Sequence, residues 1–374
     1  MSDKTAYELW MEREAIPIVR AYGVEDVREL PRRPWRRSGG PASFIALQGM
    51  EGLTGMVVGE IPPRSTLKPE KHLYEEVIAI LEGSGATEVW SPGRSAKKLT
   101  FEWQKGSVFA PPLNCWHQLH NGGGEPAIYL AVTSAPLVFD LFRDERLIFE
   151  SNHTFPDRFA PEADYFTRGE RLMTDIEGDA GMLWTTNLIA DVRAALVDPV
   201  KKKGAGVKIT CFEMGGNGLV GHLADWPAGR YHTAHHHGGG AVLLIWRSRG
   251  YTLMWPQEAG PHPYADGKEA RVVRVNWREG AVVSPPTGWF HQHFNTGEEA
   301  ALQLAIRWGS MRHDVGFNKA TRGSGVYVDY RRGGTLIEYE DEDPRIRADF
   351  EAELRQGGLA STMPVVARRT ASVD

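Results

Sequence analysis

The feature that most constrains the fold of this chain is an internal repeat. A shift of 165 residues aligns His72 with His237, and a shift of 174 residues aligns His117 with His291. The two shifts differ by nine residues, which a single insertion around residues 261–268 explains. The ordered matches predict two copies of one domain, the second with one longer loop. The other matched pairs are Gly85 and Gly250, Thr87 and Thr252, Trp90 and Trp255, Trp103 and Trp277, Gly106 and Gly280, Pro111 and Pro285, Pro112 and Pro286, Gln118 and Gln292, Asn121 and Asn295, and Glu125 and Glu299.

Each copy consists of short apolar runs that glycine and proline separate. From Phe44 onward the runs include residues 77–81 and 99–103, and the chain of 374 residues holds 41 glycines and 23 prolines. Closely spaced short strands with turn residues between them are typical of a β-sandwich or a β-barrel. We therefore predict an all-β fold for both copies.

A cluster of histidines lies beside one of these apolar runs. Four of the thirteen histidines occupy positions 232 and 235–237. Alternate side chains of a strand share a face, so His235 and His237 project together while His236 points away. His291 lies at the equivalent of His117 and can supply a third imidazole. Neutral imidazole suits iron, copper, zinc or nickel. We predict a metal site formed by His235, His237 and His291 in preference to a solvated histidine cluster.

Composition limits the classes of partner. The net charge of −5 argues against nucleic-acid binding and against binding to acidic membranes. The two cysteines, Cys115 and Cys211, cannot build a disulfide framework, and no apolar run is long enough to span a membrane. The N-terminal residues lack the apolar core of a signal peptide. These features predict a cytoplasmic protein that acts on a small molecule.

Both copies resemble the cupin domain, a double-stranded β-helix or jelly roll, over residues 44–135 and 208–310. The second cupin motif is a glycine, five residues, proline, one residue, glycine, two residues, histidine, three residues and asparagine. The second copy matches it at Gly280, Pro286, Gly288, His291 and Asn295. The first copy matches it at Gly106, Pro112, His117 and Asn121, with Asn114 in place of the inner glycine. The resemblance implies a bicupin: an all-β chain of two tandem cupin barrels with a helical linker and terminal extensions.

The first cupin motif differs between the copies. The second copy has His235 and His237 but Ala241 where the family has glutamate. Three histidines without a glutamate resemble the Fe(II) ligands of gentisate 1,2-dioxygenase-like bicupins. The first copy offers a second set, Glu70, His72, Glu76 and His117. Carboxylate oxygen and imidazole together can bind Mn(II) or Zn(II), and the alternative is that Glu70 is solvated and the histidines are held by hydrogen bonds.

The resemblance implies a dioxygenase that inserts O2 into an aromatic hydroxy acid and cleaves the ring. Fe(II) is the expected cofactor, with Mn(II), Ni(II) or Zn(II) as alternatives. His293 shares a face with His291 and is a candidate acid–base group. Arg307 and Arg230 are candidates for binding the substrate carboxylate, although each can equally be a surface or salt-bridge arginine.

Two other functions stay open. The first is a non-oxidative metal-dependent lyase, decarboxylase or hydrolase on the same scaffold, and the second is a bicupin that binds a small molecule without catalysis. The absence of glutamate at position 241 favours the dioxygenase over decarboxylases that use three histidines and one glutamate. Retention of three histidines argues against the non-catalytic protein.

The expected boundaries are an N-terminal arm (1–43), cupin domain 1 (44–138), a linker with helices (139–207), cupin domain 2 (208–310) and a C-terminal extension (311–374). Apolar spacing predicts helices within residues 137–149 and 187–197. Asp343 and Pro344 predict the start of a helix that ends at Gly357. Apolar groups outside a domain core need a cover, so the arm and tail predict a homo-oligomer whose interface includes Tyr7, Trp10, Tyr327, Tyr330 and Tyr339.

Overall fold

A computed structural model describes residues 3–93, 97–176, 179–195, 206–309, 328–367 and 369. The helices in this part of the chain are α1 (Ala6–Arg13), α2 (Ala135–Phe142), α3 (Glu145–Glu150) and α4 (Pro344–Gln356). None of them is both long and apolar enough to cross a membrane.

Strands make up most of the remaining regular structure. In the first half they are β1 (Ile18–Ala21), β2 (Gly23–Val24), β3 (Arg33–Pro34), β4 (Pro41–Leu47), β5 (Gly55–Ile61), β6 (Ser65–Thr66), β7 (Glu76–Glu82), β8 (Ser84–Trp90), β9 (Leu99–Gln104), β10 (Val108–Phe109), β11 (Trp116–Asn121) and β12 (Ala127–Thr133). In the second half they are β13 (Gly169–Ile176), β14 (Asp179–Thr186), β15 (Leu188–Ile189), β16 (Lys208–Glu213), β17 (Leu219–Trp226), β18 (Ala234–His235), β19 (Val242–Arg247), β20 (Gly250–Pro256), β21 (Val273–Trp277), β22 (Val282–Val283), β23 (Trp289–Asn295), β24 (Ala301–Trp308) and β25 (Leu336–Ile337).

The two halves fold into barrels of the same topology, each made of a large and a small sheet. The large sheets contain the orders β4-β5-β12-β7-β10 and β16-β17-β24-β19-β22. The small sheets contain the orders β6-β11-β8-β9 and β18-β23-β20-β21. The pairings repeat in register as well, since Ala79 lies opposite Leu130 in the first barrel and Leu244 opposite Leu304 in the second. The prediction of two tandem jelly-roll barrels, drawn from the shifts of 165 and 174 residues, is confirmed.

The large sheets of the two barrels pack against each other. One apolar cluster joins residues of both sheets, among them Leu130 and Val132 from β12 and Leu304 and Ile306 from β24. The other face of each large sheet lines the interior of its own barrel. Burial on both faces explains why β7 and β24 are almost continuously apolar, whereas β9, with one face in solvent, alternates buried and exposed residues.

Each barrel receives a strand from the segment that precedes the other barrel. The N-terminal β2 pairs with β22 of the second barrel, and β15, from the segment between the barrels, pairs with β10 of the first. Val24 opposite Val282 is thus the counterpart of Ile189 opposite Val108. The repeat therefore begins before Phe44, and its first few residues cross to the partner barrel.

A salt-bridged turn fastens each crossing segment. In the first, Asp26 accepts hydrogen bonds from Arg28 Nε at 2.8 Å and from Arg28 Nη2 at 2.7 Å, and the Val27 amide donates to the Gly280 carbonyl. Asp191 and Arg193 make the same contacts beside Gly106 in the other barrel. Both glycines have positive φ, and a Cβ at Gly280 would lie 2.6 Å from Asp26 Oδ1. Glycine is required at this position because the carboxylate packs directly on the backbone.

Two expectations for the segments outside the barrels were wrong. Residues 187–195 form β15 and a short 3-10 turn, Val192–Ala194, instead of a helix, because Asp191 caps the turn and the strand pairs with β10. The interval from 139 to 207 is also more than a helical linker, since β13 and β14 form a hairpin that joins the large sheet through β16. The other helix expected between the barrels is present as α2 and α3.

The terminal extensions pack on their own chain. Tyr7 and Trp10 of α1 are buried with Phe44 and Phe139 against the first barrel. Asp343 caps α4 as predicted, and Phe350 of that helix is buried against the second barrel. Tyr330 and Tyr339 also pack there, and Tyr327 lies outside the described residues. The described apolar groups cited for a homo-oligomer thus pack at least partly within the chain, and oligomerisation stays a prediction for light scattering to test.

We expect Asp26→Asn to weaken the docking of β2. Burial raises the pKa of Asp26, but the hydrogen bonds and charge of Arg28, together with the charge of Arg278, lower it by more. The net pKa therefore lies below the ordinary value. A carboxylate with a lowered pKa stabilises the fold above its ordinary pKa, and this stabilisation is lost as the pH falls through the folded value. The variant should unfold with a free energy lower by about 1–3 kcal/mol at pH 7, and in urea titrations the deficit should begin to shrink only below about pH 4, as the pH approaches the lowered pKa.

The control is Asp191→Asn, the same change at the other crossing. Arg193 is more exposed there than Arg28, with 38% of its side chain accessible against 20%. The effect of Asp191→Asn should therefore be smaller. Equal stability of the Asp26→Asn variant and the wild type at pH 7 would contradict the proposed docking.

Candidate metal centre

The three histidines predicted as ligands come together at one end of the second barrel. β18 places His235 directly opposite His291 of β23, and the equivalent bridge in the first barrel joins Glu70 and His117. One ring nitrogen from each of His235, His237 and His291 lies within 4.8 Å of the others. His236 packs its ring 5.0 Å from that of Phe290, outside the cluster, as the strand alternation predicts.

Backbone carbonyls fix the orientation of all three rings. The Nδ1 atoms of His235, His237 and His291 lie 3.1, 2.7 and 3.0 Å from the carbonyl oxygens of Thr233, Gly238 and Trp289. A carbonyl oxygen only accepts hydrogen bonds, so each Nδ1 carries the proton and each Nε2 keeps a lone pair. Metal-binding histidines typically have this outer hydrogen bond, which sets the tautomer and the ring orientation. The donor set therefore fits a divalent transition-metal ion.

The triad opens into a narrow cavity inside the barrel. Three further imidazoles line it, those of His222, His232 and His293, together with Gln303 and the apolar residues Ala224, Ala241, Leu243 and Pro285. None of these described lining residues is acidic. The cavity volume is about 30 Å³, whereas one buried water needs roughly 10–15 Å³. His237 is only half-buried and marks the side from which solvent reaches the triad.

The three residues proposed for substrate chemistry lie in different positions relative to the cavity. His293 lines the cavity and its Nδ1 lies 2.9 Å from Thr252 Oγ1. Arg307 is buried behind the wall, with Nη1 2.7 Å from His222 Nδ1. Arg230 does not line the cavity, because its Nε donates to Thr362 of the C-terminal tail. Arg230 is therefore withdrawn as a carboxylate-binding residue.

Sequence reasoning missed two of the cavity histidines. His222 and His232 belong to no motif, and the signal that could have found them is the repeat. The same shifts identify the equivalent positions in the first barrel, and each of these positions has a less polar residue than its counterpart in the second barrel. The pairs are Val57 and His222, Leu67 and His232, Leu119 and His293, Tyr129 and Gln303, and Thr133 and Arg307.

The first barrel holds a second candidate cluster. Glu76 Oε2 lies 3.5 Å from His72 Nε2 and 3.3 Å from His117 Nε2. Within the described residues this oxygen is buried without a hydrogen bond of good geometry, so the three atoms converge on one point instead of bonding one another. A cation completes such an arrangement. Glu70 lines the same cavity, which α1 covers with Tyr7 and Trp10.

The two carboxyl groups of this cluster differ in charge state. Burial raises the pKa of Glu76, but the imidazoles of His117 and His72 lower it by more, so the group stays ionised. Burial, opposed by His117 and reinforced by Glu76, raises the pKa of Glu70 from 4.5 to about 7. Glu70 is thus a partly buried acid beside the Glu76 carboxylate, instead of the fully solvated group considered from the sequence.

We expect Glu70→Gln to stabilise the metal-free protein at high pH. The folded protein holds the Glu70 proton up to a higher pH than the unfolded chain does. The wild-type free energy of unfolding therefore falls as the pH rises from about 4.5 to 7. Gln has no proton to lose. At about 1.4 kcal/mol for each pKa unit, the variant should gain roughly 2–3 kcal/mol over the wild type between pH 5 and pH 8, measured by denaturant unfolding in a chelator. The control replaces the exposed Glu102 of β9 with Gln, and the same pH-dependent gain in both variants would contradict the assignment.

Comparisons with known proteins give one family match and several similar solved structures. Residues 48–162 match the family model described as Cupin. No curated protein sequence matches the chain. Three similar solved structures each cover 77% of this chain and 77% of their own. They are a single-residue mutant of Bacillus subtilis oxalate decarboxylase (12% identity, TM-score 0.47), an oxalate decarboxylase solved to show its substrate binding mode and a reaction specificity switch (13%, 0.47), and Bacillus subtilis oxalate decarboxylase studied for its Mn(II) centres (14%, 0.47). In fold, the chain is a tandem of two jelly-roll barrels, and the match to the cupin family lies on the first of them.

Proposed function

We propose that His235, His237 and His291 bind one divalent transition-metal ion and that the second barrel is the catalytic centre for a small carboxylic acid. The observation that carries this proposal is the set of three Nε2 lone pairs, each fixed by a backbone carbonyl at Nδ1. Fe(II) is the first choice of ion, with Ni(II) and Zn(II) as alternatives, because imidazole nitrogen suits all three. Mn(II) is a further alternative.

The cavity favours a negatively charged ligand with oxygen donors. Three neutral imidazoles leave the charge of a divalent ion uncompensated, and Ala241 stands where a carboxylate is available in the first barrel. Arg307 adds a buried positive charge behind His222. When bound, the ion supplies Lewis acidity that stabilises negative charge on substrate oxygens. A carboxylate with a neighbouring oxygen donor meets both requirements.

The remaining residues of the cavity bind the substrate, exclude water and move protons. Ala224, Leu243 and Pro285 line the walls with apolar surface. His293 lies beside the triad, with its ring centre 5.6 Å from that of His291, and Thr252 holds its Nδ1. His293 can therefore hold or deliver a proton at Nε2, and His232, 5.7 Å from it between ring centres, lies next in line.

We place non-oxidative cleavage of a C–C bond, a decarboxylase or lyase reaction, first. Such cleavage leaves negative charge on carbon that a proton must quench, and the cavity holds imidazoles beyond the three ligands. The second candidate is the O2-dependent dioxygenase. The observation that favours it is Ala241, which leaves an additional coordination position for O2 on the ion.

The test combines anaerobic turnover with an oxygen electrode. Protein loaded in turn with Fe(II) and Mn(II) is offered short keto acids and dicarboxylic acids, 1,3-dicarbonyls, and salicylate-, gentisate- and catechol-like acids. We expect CO2 release or C–C cleavage under strict anaerobiosis with a short acid. Stoichiometric O2 uptake with an aromatic acid would instead establish the dioxygenase. No turnover of any of these compounds by fully loaded protein would overturn the catalytic proposal.

The first barrel is proposed as a second metal site, with His72, Glu76 and His117 as ligands and Glu70 as a fourth. Two carboxyl groups and two imidazoles provide harder donors than the second barrel does, which favours Mn(II) or Zn(II). Its cavity is lined mainly by apolar and aromatic residues and is covered by α1. We therefore assign it a structural role and assign the chemistry to the second barrel.

A further inference from the structure

The C-terminal extension lies directly against the two strands that carry the proposed metal ligands. β25 pairs with β18, so that Leu336 lies opposite His235. The His236 amide donates a hydrogen bond to the Thr335 carbonyl at 3.1 Å. β18 therefore has β23 on one side and β25 on the other. The extension thus fixes the backbone of His235 from outside the barrel.

Glu342 joins both ligand strands through buried side chains. Its Oε1 accepts a hydrogen bond from the Tyr231 hydroxyl at 2.6 Å, and its Oε2 accepts one from Gln292 Nε2 at 2.8 Å. Glu342 is only 6% exposed, and Tyr231 and Gln292 are fully buried. Gln292 follows His291 directly in β23, whereas Tyr231 lies in the segment that leads to His235. One carboxyl group therefore ties the strand of His291 to the segment of His235.

The first barrel is held differently. In the part of the chain that the structure describes, its small sheet has four strands where that of the second barrel has five, and the additional strand is β25. Gln118, the equivalent of Gln292, donates to the Leu67 carbonyl at 2.9 Å. Gln292 makes the matching contact with the His232 carbonyl. The bond from Gln292 to Glu342 is an addition to this shared pattern, so it belongs to the barrel with three histidines.

The extension is anchored at the loop that is longer in the second copy. Asp343 Oδ2 accepts hydrogen bonds from the amides of Tyr264 and Ala265 at 2.8 and 2.9 Å, and its Oδ1 accepts one from the Arg345 amide at the start of α4. Arg345 Cζ lies 4.6 Å from the centre of the Tyr264 ring. The insertion of the second copy thus binds the residue next to Glu342. Insertion and extension together hold the Glu342 side chain against the ligand strands.

We propose that Glu342 is a positioning residue of the metal centre. It holds the strands of His235 and His291 at the spacing that metal binding needs, so the docked extension sets the metal affinity of the second barrel and not that of the first. The proposal rests on the proposed function, since it takes the three histidines to bind an ion. Outer partners that bond a metal ligand are worth roughly 10–100-fold in metal affinity. Glu342 acts one residue further out, through Gln292 and Tyr231, so its removal should cost about tenfold.

Titration with Co(II) measures the effect on each barrel separately. A Glu76→Ala background reports on the second barrel and a His237→Ala background on the first, because each removes a proposed ligand of the other barrel. In the Glu76→Ala background, Glu342→Ala should raise the Kd of Co(II) about tenfold and alter the visible absorption bands of the bound ion, which depend on its coordination geometry. In the His237→Ala background the Kd should stay unchanged. Glu342→Gln keeps a hydrogen-bonding group of the same size and should restore most of the affinity.

Two further variants separate positioning from stability. Leu354 of α4 is fully buried against the second barrel, so Leu354→Ala should lower the resistance of the protein to urea. Its Co(II) affinity and absorption bands should match those of the parent. Tyr231→Phe keeps the ring and removes only the hydroxyl that bonds Glu342. This mild change keeps the test valid if Glu342→Ala does not fold, and it should raise the Kd about threefold, the equivalent of one hydrogen bond.

The outcomes distinguish this proposal from the proposed function. Unchanged Co(II) affinity in Glu342→Ala and in Tyr231→Phe would overturn the role of Glu342 and leave the metal centre intact. An equal loss of affinity in Leu354→Ala would also overturn that role, because the effect would then follow stability alone. A Glu76→Ala parent that binds no Co(II) would overturn the metal centre of the second barrel and this inference with it.

Discussion

Replacing His237 with Ala is expected to remove the metal ion from the second barrel and to lower kcat/KM by more than two orders of magnitude. Loss of an outer partner of a metal ligand already weakens binding by roughly 10–100-fold, and His237 is proposed as a ligand itself. The fold should persist, because the His237 side chain is only half-buried and its Nδ1 contacts the carbonyl of the neighbouring Gly238. Elemental analysis, circular dichroism and steady-state kinetics on the same preparation measure the three effects.

The matched control for that variant is His236→Ala. The two histidines are adjacent in the chain, but His236 packs against Phe290 and takes no part in the triad. The control should keep its metal and most of its activity. A His237→Ala protein with full metal content in the second barrel would falsify the ligand assignment, whatever its activity. Metal bound by the first barrel is accounted for by repeating the measurement in a Glu76→Ala background, which removes one of the proposed ligands of that barrel.

Ala241→Glu is expected to keep the metal ion but to lower turnover by at least about tenfold. Position 241 is the equivalent of Glu76, whose Oε2 lies within 3.5 Å of the Nε2 atoms of both histidines in the first barrel. The new carboxylate should therefore reach the ion. It fills one coordination position and removes one unit of positive charge, and both changes oppose the binding of an anionic substrate.

Metal content and anion affinity should move in opposite directions in this variant. The metal should bind as tightly as in the wild type or more tightly, while the Kd of a carboxylate ligand rises. Ala241 is almost fully buried, so apo protein should be less stable with Glu at this position because a carboxyl group is desolvated there. Undiminished turnover with full metal content would show that the open position is not used in the reaction.

The sequence alone determined the architecture of the second barrel and brought together the three histidines proposed there as metal ligands. The reason is that the sequence contains two copies of the domain. The shifts that align His72 with His237 and His117 with His291 also align glycines, prolines and tryptophans. Strand alternation then assigned His235 and His237 to one face and His236 to the other. These are local rules of backbone geometry, and the structure agrees with them.

Only the tertiary structure decided which segment pairs with which barrel. β2 and β15 are two residues long, and nothing local in so short a strand specifies a partner far away along the chain. Their docking depends on the face-to-face packing of the large sheets and on a glycine in the opposite barrel. The same reason explains why the described aromatic residues of the arm and tail, which suggested a subunit interface, pack against their own barrels.

The tertiary structure also decided the roles of the polar side chains around the triad. Arg230 and Arg307 were equal candidates in the sequence, yet Arg230 bonds the C-terminal tail and Arg307 lies inside the barrel against His222. His222 belonged to no motif, because its position on the cavity wall follows from the register of β17 against β24. A motif fixes residues that are close along the chain, whereas the wall of a cavity is assembled from strands far apart in sequence. The triad could therefore be predicted from the sequence, and its surroundings could not.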